Sequence, residues 1–190
     1  MKKYFIIVLL CIAHFVSAQK PCDFGTDVKD SLGTYKATKE YLMYESNFGS
    51  KKDYIYFSLV NTDGMPALKV QLINKNNGFV KAKCFNNKSK MYIQLNNGKI
   101  ITLLYQDIDN CGTMLTDENK NNVRVLSGAF LFLKGSMEML KSVPISFIRF
   151  KFSIENQDYI ISKKLHSELD KLDYSPENYF INYLHCVDGK

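Results

Sequence analysis

Residues 90–105 commit this chain to paired strands. Two apolar-rich arms, Met91 to Asn96 and Lys99 to Tyr105, flank Asn97-Gly98. Asn-Gly suits a type I′ turn, because both central residues need positive φ and the resulting twist matches that of two paired strands. The segment from Lys90 to Tyr105 is therefore expected to be a β-hairpin.

The neighbouring segments read the same way. Asp53 to Val60 (DYIYFSLV) is rich in β-formers and runs into the turn signal Asn61-Thr62-Asp63-Gly64. From Ala67 to Ile73, Leu68, Val70 and Leu72 alternate with Lys69 and Gln71, the period of a half-buried strand. Val123 to Leu133 and Ile145 to Ser153 are further strands. In the second, Ile148, Phe150 and Phe152 share one face and are expected in the core. Between them, Ser136 to Lys141 predicts a short helix, with Ser136 as N-cap, Glu138 at the positive helix start and Pro144 beyond the end.

The period changes near the C-terminus. Ile161, Leu165, Leu169 and Leu172 are spaced four, four and three, which predicts a helix with one apolar face. Ser175-Pro176-Glu177 then restarts a helix whose stripe is Phe180, Tyr183, Leu184 and Val187. The expected fold is α+β and mainly β. It is an antiparallel, β-sandwich-like body with a short inserted helix and one or two C-terminal helices.

The first residues bear on compartment. Lys2 and Lys3 precede an apolar run from Tyr4 to Ile12, and Val16-Ser17-Ala18 offers a small-residue cleavage site before Gln19. This is the pattern of a secretory signal peptide over residues 1–18, leaving residues 19–190 as one exported β-rich domain. The run is shorter than the roughly 20 apolar residues that span a bilayer. Leu10 precedes Cys11 where a lipoprotein signal places a small residue. Periplasmic or secreted localisation is expected, with no transmembrane segment after cleavage. Loss of Lys2 and Lys3 lowers a net charge of +6 by two. The remaining lysines are scattered rather than gathered in a patch, which argues against a nucleic-acid partner.

Cleavage also removes Cys11, leaving Cys22, Cys84, Cys111 and Cys186. Four cysteines in an oxidising compartment admit three pairings. Cys84 and Cys111 bracket the hairpin, whereas Cys22 and Cys186 lie near the two mature ends, which in many domains sit close together. The expected bridges are Cys22–Cys186 and Cys84–Cys111. The competing reading is a reactive thiol at Cys186 beside His185. Adjacent residues on a helix point about a third of a turn apart, so adjacency does not make a catalytic dyad.

Other constellations point to no defined chemistry. Asp107, Asp109, Gly112 and Glu118 fall at positions 1, 3, 6 and 12 of an EF-hand loop. Cys111 and Leu115 occupy positions that need oxygen ligands, so a polar turn is the better reading. His166 and His185 remain after cleavage, too few for a three-histidine centre, and no spacing joins them to Glu168 or Asp170 as a metal site. Leu126-Ser127-Gly128 lacks the preceding glycine of a nucleophile elbow and lies in a predicted strand. No phosphate-binding or dinucleotide fingerprint appears. Asp170 and Asp173 read as a solvated helix face. Tyr54, Tyr56 and Phe57 read as β-core packing before an exposed aromatic row for sugar rings or peptides. No catalytic residue, metal ligand or cofactor is therefore assigned.

The chain resembles small exported proteins of Gram-negative bacteria that have no established function. The resemblance rests on Ala18-Gln19 at the cleavage junction, Cys22 soon after it, the hairpin Tyr92 to Leu103, Leu140 to Ile145 leading into Ile148-Arg149, and the late Cys186. It implies an exported β-rich domain, agrees with pairing Cys22 to Cys186, and carries no catalytic residue. The function expected is non-enzymatic binding of a protein, peptide or glycan through a β-sheet surface. The alternatives are a secreted hydrolase with a site assembled only in three dimensions, and a structural envelope protein built through a sheet edge.

Overall fold

Alternating apolar residues generate one branched antiparallel sheet in the computed structural model, which describes residues 19–188. The signal-peptide reading falls on residues 1–18, outside the described residues. The strands are β1 (Phe24–Asp30), β2 (Gly33–Thr38), β3 (Tyr41–Phe48), β4 (Lys51–Thr62), β5 (Met65–Asn76), β6 (Lys90–Leu95), β7 (Ile100–Tyr105), β8 (Thr113–Thr116), β9 (Asn122–Phe132), β10 (Ile145–Lys151) and β11 (Asn156–Ile160). Their order is β1-β2-β4-β5-β9-β7-β6-β10-β11, with β3 added to β4 and β8 to β9. A separate small pair joins β12 (Leu165–His166) to β13 (Asp173–Tyr174).

The two branches arise because β4 and β9 change partners along their length. On one side, β4 pairs with β3 over residues 51–57 and with β2 over residues 60–62. Strand β9 pairs with β8 over residues 122–125 and with β7 over residues 130–132. The sheet curls as it passes through these strands. Tyr44 of β3 meets Tyr159 of β11 with ring centroids 5.0 Å apart, so distant parts of the sheet face each other over a common core. The sandwich-like body is thus a single sheet folded over on itself.

The turns follow residue chemistry, with one departure from expectation. Asp63 and Gly64 both have positive φ and link β4 to β5 as a two-residue turn, Thr62 pairing with Met65. In the β6–β7 hairpin only Gly98 has positive φ (83°), and Leu95 N donates to Lys99 O. The loop is therefore the three residues Asn96-Asn97-Gly98, with glycine in the left-handed position, instead of a type I′ turn at Asn97-Gly98. Gly98 N donates to Leu95 O and Asn97 Oδ1 accepts from Lys99 N, stabilising this wider form.

Ile148, Phe150 and Phe152 are buried as the alternation predicts. They join an aromatic cluster in which Phe85 contacts Tyr105, Phe130, Phe150 and Phe152 at centroid distances of 5.1–6.1 Å. Gly128 lies against this cluster, and a Cβ there would sit 2.6 Å from Tyr105 Cε2 and 3.0 Å from Phe85 Cδ2. Tyr54 and Phe57 are buried as well. Tyr56 is half-buried, and desolvation, reinforced by nearby acids with Asp170 foremost, pushes its phenol up to about 12.

The helices are short. In α1 (Ser136–Leu140) the cap is Gly135 with φ 81°, and Ser136 is buried in the first turn without capping the helix. The C-terminal element is α2 (Tyr179–Tyr183), between 3-10 turns at Pro176–Asn178 and Leu184–Cys186. Ser175 precedes Pro176 as expected but makes no side-chain cap bond. Tyr179 and Phe180 close the core over Phe57, at 5.7 and 6.1 Å.

The helix predicted over residues 161–172 is absent. Those residues turn back through β12 and β13, leaving Leu169 and Leu172 exposed while Ile161 is buried. Local polar chemistry competes with the helix. Ser167 Oγ accepts from Leu169 N, Asp170 Oδ1 accepts from Leu172 N, and Lys171 has φ 62°. Serine and aspartate satisfy backbone groups in turns in this way.

Two disulfides close the chain, Cys22–Cys186 and Cys84–Cys111. Beside the second, Phe85 and Asn110 exchange both backbone hydrogen bonds, at 2.8 and 3.0 Å. Among the described residues, no helix is long and apolar enough to cross a membrane.

Candidate functional site

The register of β7, β6, β10 and β11 builds an ordered outer face. Residues 91, 93, 101, 103, 148, 150 and 159 point into the core and are buried, so their neighbours in sequence point outward. Pairing sets these neighbours in three rows. The first is Ile160, Phe147, Gln94 and Ile100. The second is Asp158, Arg149, Tyr92 and Thr102, and the third is Asn156, Lys151, Lys90 and Leu104.

The first of these rows is mainly apolar and the other two are more polar. Ile160 and Ile100 are 76% and 64% exposed, and Phe147 and Tyr92 are half-buried between them. Arg149 lies over the Phe147 ring at 5.8 Å and binds Asp158 through two bonds of 2.6 Å. That pairing draws the Asp158 carboxyl below its ordinary range and raises the Arg149 guanidinium. The pair is exposed, so it orients the guanidinium more than it stabilises the fold. Tyr92, Gln94, Ile100, Phe147, Arg149, Lys151 and Asn156 line a shallow depression of about 530 Å³.

The edge of this face is open in a defined sense. Ile161 N donates to Ser146 O and Phe152 N to Glu155 O, which places residues 155, 157, 159 and 161 in the hydrogen-bonded pairs with β10. Antiparallel strands alternate these pairs with non-hydrogen-bonded ones. The N–H and C=O groups of Asn156, Asp158 and Ile160 consequently point away from β10, and among the described residues β11 has no second partner strand.

A second depression, of about 220 Å³, gathers Lys51, Lys75, Lys81 and Lys83 beside the exposed Phe79. Its lysines already have acceptors. Lys51 pairs with Asp53, Lys75 with Asp117, Lys81 with Glu155, and Lys83 donates to Gln157. Desolvation lowers the Lys83 ammonium below its usual range, opposed by the Asp53 and Glu155 carboxylates.

The residues weighed for chemistry are dispersed. His166 lies in β12, not on a helix, with Nδ1 2.9 Å from Asp173 Oδ1; their side chains are 62% and 88% exposed. Asp170 instead accepts from the Tyr174 hydroxyl at 2.5 Å, and Glu168 accepts from Asn47. Ser127 stands inside β9. In the EF-hand-like stretch, Cys111 is bonded to Cys84 and Thr113–Thr116 is a strand paired with β9, so the loop is not folded around a central cation.

His185 occupies a different setting. Its Nε2 is 3.3 Å from Cys22 Sγ and 3.7 Å from Cys186 Sγ, although the two sulfurs come from opposite ends of the chain. Its Nδ1 is buried without a hydrogen-bond partner. Among the described residues, this is where three candidate ligand atoms converge.

No family model, curated protein or solved structure matches the chain. The sequence signal for the outer face was the alternation in Ile145 to Ser153, which separates Phe147, Arg149 and Lys151 from the core residues. The rows themselves depend on pairing with β11, which the sequence reading did not identify.

Proposed function

We propose that this protein is an exported, non-enzymatic binding domain of the periplasm or extracellular space that engages a protein partner through the outer face of β7, β6, β10 and β11. The observation that supports this is the row Ile160, Phe147, Gln94 and Ile100 beside Tyr92 and Arg149. Protein interfaces favour aromatic residues and arginine at their centre, with a polar rim. Here Lys90, Lys151 and Asn156 supply polar groups on one side of the apolar row. The open edge of β11 gives an extended partner segment a row of backbone groups to pair with, while Phe147 and Ile160 offer side-chain contacts.

The two disulfides are in keeping with an oxidising compartment. A hydrolase reading gains little from the exposed His166–Asp173 pair, since Asp173 has no shielded cavity around it. Affinity capture from the native envelope fraction tests the proposal when run beside Phe147→Ala and Tyr92→Ala variants. Truncating a central interface residue costs about 2 kcal/mol or more, roughly thirtyfold in affinity. A partner held by the parent and lost by both folded variants supports the reading. Equal capture by parent and variants, or recovery of no protein partner, overturns it. Light scattering on the same samples distinguishes a second copy of this chain from a foreign partner.

A further inference from the structure

We infer that the Cys22–Cys186 bridge masks a redox-gated site for a thiophilic d10 cation such as Zn2+, with His185 as its third ligand. The site is independent of the sheet face proposed above for protein binding. Tetrahedral zinc with Zn–S near 2.3 Å and Zn–N near 2.05 Å needs sulfur–nitrogen separations of about 3.6 Å and a sulfur–sulfur separation of about 3.8 Å. Both sulfur–nitrogen separations are already close to that value, at 3.3 and 3.7 Å. Opening the sulfur–sulfur bond is the one large change required. Two thiolates and an imidazole are a zinc-type donor set, and three protein ligands leave a fourth position for water.

The placement of His185 gives a second reason. Its ring is held against the two sulfurs by Nε2. A disulfide sulfur is a weak hydrogen-bonding partner, so this contact leaves Nε2 poorly satisfied. Coordination through Nε2 exchanges that weak contact for a metal bond. Cys22 is contributed by the segment before β1, and His185 and Cys186 by the last 3-10 turn. The cation would therefore hold together the same two ends that the disulfide holds.

The chemistry balances with a dithiol donor as reductant. A donor thiolate attacks one sulfur, the Cys22–Cys186 bond breaks, and a mixed disulfide forms. The donor's second thiol resolves it, so the donor leaves oxidised and the protein gains two electrons and two protons. Binding of Zn2+ or Cd2+ by the two thiols then releases two protons to solvent.

The test uses Cd2+ as probe, read by its thiolate charge-transfer absorbance under anaerobic conditions. In a chain beginning at Gln19, a Cys84→Ser/Cys111→Ser variant leaves only the terminal pair, and it is titrated reduced and oxidised. The expected result is one Cd2+ per chain when reduced and none when oxidised. Outer-sphere partners alone change metal affinity by about 10–100-fold, so His185→Ala in the reduced variant should weaken binding at least tenfold. Comparing the fully reduced parent with its His185→Ala form keeps the test decisive if the double variant does not fold. No binding on reduction, or equal affinity with and without His185, overturns the inference.

Discussion

Replacing Gly128 with alanine tests whether the aromatic core is as tightly closed as its geometry shows. The new Cβ would stand 2.6 Å from Tyr105 Cε2, 3.0 Å from Phe85 Cδ2 and 3.3 Å from Phe85 Cε2. Carbon atoms in good contact are about 3.5–4.0 Å apart, so the Tyr105 ring must retreat by roughly 1 Å. Tyr105 is 6% exposed and its hydroxyl donates to Ile108 O at 2.6 Å, which ties the far end of the ring. Phe85 cannot yield easily either, because Phe152 stacks on it at 5.1 Å and Phe130 meets it edge-on at 5.3 Å. Overpacking of this kind costs about 1–3 kcal/mol, offset by about 0.4–1 kcal/mol because alanine restricts the unfolded chain. The net expectation is a loss of about 1–2 kcal/mol, or a fall in Tm of about 2–8 °C for a chain of this size. The assay is urea unfolding with both disulfides oxidised. It is followed by circular dichroism and tyrosine emission, since the chain has no tryptophan. Gly78→Ala is the control, with nothing within 4 Å of its added Cβ. It should stay within about 0.5 kcal/mol of the parent. A Gly128→Ala protein as stable as the parent, alongside a neutral Gly78→Ala, would falsify the packing argument.

Two further outcomes are expected. In the chain-entropy model, removing the Cys22–Cys186 bridge should cost about 5 kcal/mol and removing Cys84–Cys111 about 3.5 kcal/mol, from loop spans of 164 and 27 residues. Urea unfolding of paired Cys→Ala variants measures both, and a reversed order refutes the entropic account. The Asp117 carboxyl is drawn down to about 2 by Lys75 and by the backbone N–H of Asn121. Because its folded value lies below the unfolded one, its contribution is complete above about pH 4 and is lost as pH falls towards 2. An NMR titration should place its midpoint near 2 and move it upward in Lys75→Met; an unmoved midpoint refutes the pairing.

Much of the body was legible because its signals are local. Leu68, Val70 and Leu72, and Ile148, Phe150 and Phe152, each mark one strand face by spacing alone, and all six are buried. The segment from Phe24 to Phe48 carries no comparable alternation. Its strand β1 is largely exposed and pairs with β2, which is set in turn by pairing to the end of β4. Residues 161–172 misled because the spacing of four apolar residues says nothing about Ser167 and Asp170, whose side chains bind backbone groups in turns. At Asn97-Gly98 the dipeptide marked the hairpin correctly, but local hydrogen bonds selected the wider loop. The outer face was legible only in part, because Phe147 meets Gln94 and Ile160 through register across three strands. His185 showed its sequence neighbour Cys186, while its closer sulfur belongs to Cys22 at the other end of the chain.

The long pairing between β5 and β9 imposes a detour on assembly. Asn76 must find Asn122 before their strands can zip, and residues 77–121 form the intervening excursion. Each doubling of such a loop costs roughly 0.6 kcal/mol in closure entropy. The Cys84–Cys111 bond lies wholly inside this excursion and shortcuts more than half of it. A chain oxidised before its central strands meet therefore searches for its register over a much shorter path. The time at which that bond forms thus becomes a control on how fast the sheet is completed.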